Sequence, residues 1–299
     1  MRRRVLAAVI AGAGATALFG APGAGAQDAG ALSTHRPGLL TVGLNMPSQG
    51  FQVGAIAGQQ VVYAQGLEVD LARALARKMG LRGVWFVQQP ELGRLIGAGP
   101  KPWDIALAQA TATAGRKRLV SFSVPYLASD QAVLLRRGLP APEPSSLADL
   151  KPLRLCVQAS TTGVAVTARR IAPLTAAVRY RDRTNMLQAL QAGRCDAVVL
   201  DAAILNVQQA ATPERYGRLM GRIPTGERYA AILERNSALI PPVNRALNAL
   251  RRDGTIDRLI TRWVKVHPEE LPVIPPTGGA PSGGPTTPVR PPSEPVPLP

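Results

Sequence analysis

Residues 104–126 read DIALAQATATAGRKRLVSFSVPY: an apolar run, a small polar break, and a second apolar run. Ile105 to Ala108 has the length and composition of a buried strand. The chain then turns polar through Thr111 and Thr113, bends at Gly115 and carries the basic run Arg116-Lys117-Arg118 before an apolar stretch that ends in Pro125-Tyr126. Strand and helix patterns alternate on both sides of this segment, which predicts parallel sheets with crossover helices. In open sheets of that kind, ligands collect just beyond the carboxyl ends of strands. The Thr111 hydroxyl and the Arg116 guanidinium both fall past such an end and suit a carboxylate. A planar guanidinium matches two oxygens at once, which lysine's point charge does not. The competing reading of Arg116 to Arg118 is a solvated basic turn.

Working outward, LLTVGL (Leu39–Leu44) reads as the first strand and ends in Asn45-Met46-Pro47-Ser48. Residues 50–64 read as a hairpin or loop over a cleft. Residues 71–79 carry apolar side chains at helical spacing, with Gly80 as the cap. Glu68 and Asp70 in the first turn complement the helix dipole. Residues 84–87 give a strand and residues 92–96 a short helix. After strand 131–136, prolines at 140–144 break the chain, and a second lobe opens at Ser146. It offers strand 153–158, the hydroxyl run Ser160-Thr161-Thr162, a helix through Ile171, strand 176–180, helix 183–191 and strand 195–200. Asp201 follows directly, then helix 202–210. Residues 229–234 return to the first lobe as a strand, followed by helices 238–252 and 255–266.

The chain of 299 residues is long enough for two cores. Its net charge of +16 invites a nucleic-acid reading. The arginines are scattered singly without aromatic interleaving, however, so no nucleic-acid partner is expected. Arg2-Arg3-Arg4, an apolar run from Val5 to Phe19 and Ala24-Gly25-Ala26 form a secretory signal over residues 1–26. No cysteine stands near the cleavage point, so no lipobox anchor is expected. The cysteines, Cys156 and Cys195, lie in two strand-like runs, which leaves either a disulfide or two buried thiols. Two cysteines and two distant histidines cannot make a structural zinc site, and neither a metal nor a cofactor is expected.

The block Thr111, Thr113, Arg116, Phe122, Ser123, Pro125 and Tyr126 resembles the "T-x-T-x-x-R … F-S-x-P-Y" block of the extracellular solute-binding proteins of family 3, the polar amino-acid-binding proteins of ABC importers. GRCDAVVLD (193–201) is similar to that family's "G-R-x-D-A-x-x-x-D", and the run before Gly163 to its "V-Q-x-G-T-T-G", with Ser160 replacing a usual glycine. The resemblance runs in ordered blocks from Leu39 to Val266. It implies a two-lobed α/β fold of the periplasmic-binding-protein type II class, with a mostly parallel sheet in each lobe and a cleft between them. Lobe 1 would be residues 38–128 and 229–267, and lobe 2 residues 129–228. Residues 27–37 would be a linker, and 268–299 a disordered proline-rich tail.

The same resemblance implies that Arg116, Thr111 and the Thr161/Thr162 segment hold a ligand carboxylate. Asp201 would take the α-ammonium rather than merely cap the next helix, and Cys156 would pair with Cys195. At the side-chain end, Asn45 stands where relatives often carry an acid, and Ser48 where an aromatic clamp is usual; Gln109 adds a hydrogen-bonding amide. A polar uncharged or acidic amino acid is therefore expected over a lysine- or arginine-like one. The expected partners are that ligand and an ABC permease, for a monomer outside the cytoplasm. Two alternatives stay open: an enzyme on the same fold similar to cyclohexadienyl dehydratases, using Glu68, Glu91 or Asp201, and a binding lobe of a sensor without transport.

Overall fold

The computed structural model describes residues 32–265 and 267–276. The signal at 1–26 and the tail from residue 277 lie outside the described residues. Among the described residues, twelve strands form two sheets. The first holds β1 (Leu39–Leu44), β2 (Val53–Ala57), β3 (Gln60–Gln65), β4 (Gly83–Gln88), β5 (Ile105–Leu107), β6 (Ser121–Ala128) and, far later in the chain, β12 (Arg228–Leu233). Their order is β2-β3-β4-β1-β5-β12-β6. The second holds β7 (Gln131–Arg136), β8 (Leu155–Gln158), β9 (Val178–Tyr180), β10 (Ala197–Asp201) and β11 (Tyr216–Ile223), in the order β11-β7-β10-β8-β9.

Both sheets are mixed: β4-β1-β5 runs parallel at the centre of the first, β10-β8-β9 runs parallel along one side of the second, and the other neighbours pair antiparallel. Strands buried on both faces lose the alternation of a half-exposed strand and read as continuous apolar runs. Leu40, Val42 and Leu44 of β1 and all of β10 are accordingly buried. Helices α1 (Leu67–Lys78), α2 (Leu92–Ile96), α3 (Ala114–Lys117), α7 (Ile240–Arg252) and α8 (Thr255–Trp263) belong to lobe 1. Val243, Ala246, Leu247 and Leu250 of α7 repeat at helical spacing and are buried, and this helix lies against α1 and β6. Lobe 2 carries α4 (Gly163–Val166, prolonged by a wider turn to Ile171), α5 (Arg183–Gln191) and α6 (Ala202–Ala211). The 50–64 segment is the β2–β3 hairpin, laid on the sheet edge where Gln60 pairs with Val87. Gly66 at its foot has φ +125°, and a Cβ there would lie 2.2 Å from the Phe51 carbonyl oxygen.

The chain passes between lobes twice. β6 runs into β7 through Ser129-Asp130, and β11 runs into β12 through residues 224–227. One carboxylate ties the crossings together. Asp130 accepts from the Thr225 amide at 2.7 Å and the Gly226 amide at 3.0 Å, and pairs with Arg222 at 2.6 Å. Burial would raise its pKa, yet these donors hold it below the ordinary carboxylate range.

Cys156 on β8 and Cys195, just before β10, are bonded, with Cα atoms 5.9 Å apart. Lobe 2 also departs from the sequence reading at its outer side. Residues 268–276, expected in the disordered tail, run along lobe 2 instead. Val273 forms a parallel bridge with Arg222, the Leu147 amide donates to the Pro275 carbonyl at 2.8 Å, and Ile274 is buried in the lobe's core. Leu271, Val273 and Ile274 are too few among the prolines to set up a helical or alternating period, so composition hides the segment.

Candidate functional site

Of the polar groups picked out at strand ends, Thr111, Arg116, Thr162 and Asp201 are brought together between the lobes. Thr113 caps α3, its hydroxyl accepting from the Arg116 amide at 3.3 Å. That cap turns Arg116 back, and its guanidinium donates from Nη1 to the Thr111 carbonyl and from Nη2 to the Ser160 carbonyl of lobe 2, both at 2.8 Å. Ser160 has φ +64°, a left-handed conformation that glycine adopts freely and serine at a cost. The glycine usual at this place therefore reflects backbone path.

Asp201 starts α6 but makes no cap with its side chain. Its Oδ1 accepts instead from Gln131 Nε2 at 3.0 Å, inside the crevice. Burial and the charge of Glu227 push Asp201 up to about 7, against the pull of Arg116 and Arg183. Burial likewise lowers the pKa of Arg116, while the charges of Asp201 and Glu227 oppose it.

Glu227, on the second crossing, escaped the sequence reading. Its Oε2 accepts from the Thr111 hydroxyl of lobe 1 at 2.8 Å and from the Thr162 hydroxyl of lobe 2 at 2.6 Å. Thr161 sits alongside with its hydroxyl turned to the Gln158 carbonyl at 2.7 Å. Gly163 follows, and a Cβ there would lie 2.9 Å from Gln131 Oε1. Glycine thus lets Gln131 reach both Thr162 and Asp201.

The side-chain end is built differently. Asn45 donates its amide to the Gln89 and Pro90 carbonyls, at 3.0 and 2.7 Å, so it braces the loop after β4. Glu68, read as a dipole complement of α1, is wholly buried. It accepts from Gln52, from Tyr126 and from both the amide and side chain of Gln109. Burial raises its pKa and those donors oppose the rise. Gln109, at φ +48°, passes its Oε1 on to Arg183 of lobe 2, which also donates to Ser48 Oγ.

Arg183 was read only as the start of α5. The available signal was a cation in a helix's first turn, against the dipole. Across the crevice mouth, Arg181 pairs with Glu91. With Arg116, Arg183 and Arg181 all reaching the opposite lobe, the lobes are shut on each other. Thr111 and Glu227 line a groove of about 620 Å³, and Arg116, Thr161 and Thr162 line another of about 520 Å³. Among the described residues, no helix is long and apolar enough to cross a membrane, and no cluster of three or more His, Cys, Asp or Glu could hold a metal ion.

Residues 40–266 match the family described as bacterial extracellular solute-binding proteins, family 3. The chain is 26% identical over 209 residues to the ABC transporter glutamine-binding protein GlnH of Bacillus subtilis (strain 168), covering 69% of this chain and 75% of that protein. It is 24% identical over 275 residues to ABC transporter arginine-binding protein 1 of Escherichia coli (strain K12), covering 88% and 99%. Among solved structures, an ancestral arginine-binding protein bound to glutamine superposes with a TM-score of 0.65 at 30% identity, over 77% of this chain and 99% of that one.

Proposed function

The chain belongs to the bacterial extracellular solute-binding proteins of family 3, and from that premise we propose how its crevice works. The protein captures an amino acid outside the cytoplasm, between two lobes of a type II periplasmic-binding-protein fold, and serves an ABC importer. Arg116, the Thr111 hydroxyl and the Thr161–Thr162 segment take the ligand's carboxylate, and Asp201 takes its ammonium. One observation carries this assignment: a carboxylate already sits there. Glu227 is held by one hydroxyl from each lobe, beside the Arg116 charge. An incoming carboxylate gains the same two hydroxyls and the guanidinium once Glu227 swings away. Asp201, coupled to that seat through Gln131, lies on the side where the ammonium follows.

The lobes share these contacts only when shut, so a zwitterion spanning them favours the closed state. Charge-assisted hydrogen bonds of about 1.5–3 kcal/mol each make such a ligand's hold strong. We also read the protein as a monomer without a nucleic-acid partner, exported through residues 1–26.

A thermal-shift screen against the common amino acids identifies the ligand, since binding to the folded state alone raises the melting temperature. Arg116→Ala and Asp201→Ala are each expected to weaken that ligand about 100-fold or more with melting little changed. Unchanged affinity in both variants removes the assignment. The dehydratase alternative leads to a different result, turnover of prephenate. Glu68 is spent on Gln52, Gln109 and Tyr126, and Glu91 on Arg181, so among the acids weighed Asp201 alone would have to serve it.

A further inference from the structure

Arg183 has no part in holding what all amino acids share, yet it is the most deeply enclosed cation of the crevice. It opens α5 behind the Asp182 cap, and its side chain crosses from lobe 2 into lobe 1. Nη1 donates to Ser48 Oγ and Nη2 to Gln109 Oε1 at 3.3 Å, both neutral acceptors. The residue is 8% exposed, and its Nε is buried without a hydrogen-bond partner. Among the described residues, none of the ion pairs within 4.0 Å includes it.

Each of these facts is unfavourable alone. Burying a charge is costly unless it is paired, and arginine does not escape the cost by losing its proton. A cation in a helix's first turn faces the positive end of the dipole. Tyr229, Asp201 and Glu68 act on it only through space. Local penalties that nothing nearby offsets gather where a function needs them.

We propose that Arg183 is the specificity residue of the crevice and that the ligand is an acidic amino acid. Its side-chain carboxylate lies on Arg183, and its backbone groups lie on Arg116 and Asp201. This rests on the reading of the preceding subsection and adds the ligand class to it. Ser48 and Gln109 brace the guanidinium from lobe 1, leaving Nε and the remaining Nη hydrogens for the ligand. A carboxylate neutralises the buried charge; a glutamine carboxamide accepts a hydrogen bond but brings no charge. Lysine and arginine bring a second cation beside this buried charge and are rejected.

The test is calorimetric titration of the full chain with glutamate, aspartate, glutamine, lysine and arginine. One acid is expected to bind about 30-fold or more tighter than glutamine, with both cations silent. Arg183→Gln is expected to weaken the acid about 50-fold while glutamine changes less than about threefold, and Arg183→Lys to restore part of the preference. An interlobe clamp without selectivity would weaken every ligand alike, and an unchanged acid-to-glutamine ratio in Arg183→Gln overturns the proposal. If that variant does not fold, the wild-type ranking decides. Preference for a neutral or cationic amino acid overturns the acidic assignment alone, whereas no amino-acid binding at all overturns the zwitterion reading beneath it.

Discussion

Each end of the crevice is marked by an arginine, and the two are held in opposite ways. Arg116 rests on two backbone carbonyls, Thr111 and Ser160, and borders an open groove. Arg183 rests on two side chains, Ser48 and Gln109, and is buried. A guanidinium braced by main chain is fixed by the path of the loops, so it survives changes in the residues around it. One braced by side chains depends on those residues and is lost when either changes. The first arrangement suits what every amino acid carries, a carboxylate beside an ammonium. The second suits what differs between amino acids.

The largest expected effect on this contrast is that of pH. Asp201 is pushed up to about 7 by burial and Glu227, against Arg116 and Arg183, so without ligand it holds a proton below that value. An ammonium needs the carboxylate, so binding near pH 6 expels a proton and affinity falls as pH falls, approaching about tenfold per unit well below pH 7. The sign for folding is the reverse. Between the unfolded carboxylate's pKa and about 7 the folded state binds more protons, so this group's contribution to stability declines as pH rises. Titration in buffers of different ionisation heat counts the protons. Above about pH 5, where an acidic ligand's own side chain stays ionised, the acid-to-glutamine ratio should stay constant, because both ligands carry the same ammonium; a ratio that tracks pH there would merge the two ends.

Glu227→Gln should have a smaller effect, confined to the Arg116 end. A neutral amide competes less well than a carboxylate for the Thr111 and Thr162 hydroxyls, so acidic and neutral ligands both tighten, by about tenfold. Removing the Glu227 charge also lowers the Asp201 pKa, moving the pH at which affinity starts to fall downward. Weaker binding in this variant would show that Glu227 assists the ligand's ammonium, and would leave the carboxylate seat unsupported.

What could be read from the chain alone follows the same division. The helix expected at 183–191 and the strand expected from Ile105 appear as α5 and β5, because their burial shows as local periodicity. Arg116, Thr111 and Asp201 lie in short runs whose spacing is itself the signature. Glu68 gave no such warning. Between Leu67 and Val69 it reads as an ordinary first-turn acid, and only the fold reveals that Gln52, Gln109 and Tyr126 enclose it. Strand β11, YGRLMGRI, was missed because glycines and arginines interrupt it and its pairing with β7 is irregular. Glu227 and Arg183 meet their partners where the two lobes close, a relation between residues far apart in sequence that no local pattern encodes.

The smallest effect belongs to Arg181, two residues before Arg183, and it tests whether burial rather than charge makes the difference. Arg181 also crosses the crevice, pairing with Glu91, which a second arginine, Arg94, approaches at 3.5 Å. The Arg181 side chain is 75% exposed. Its contribution is therefore that of a solvated pair, and Arg181→Ala should weaken every ligand by less than about fivefold through an easier opening of the lobes. Salt screens exposed charges, so wild type and variant should converge at high ionic strength, whereas the acid preference conferred by Arg183 should persist there. The ratio of acid to glutamine affinity in Arg181→Ala is the decisive reading. If it falls as far as in Arg183→Gln, selection is made by the summed positive field of the crevice, and the contact between Arg183 and the ligand is not needed to explain it. If it stays at the wild-type value, then of two arginines two residues apart it is the one shut away from water and without an acidic partner that chooses the ligand.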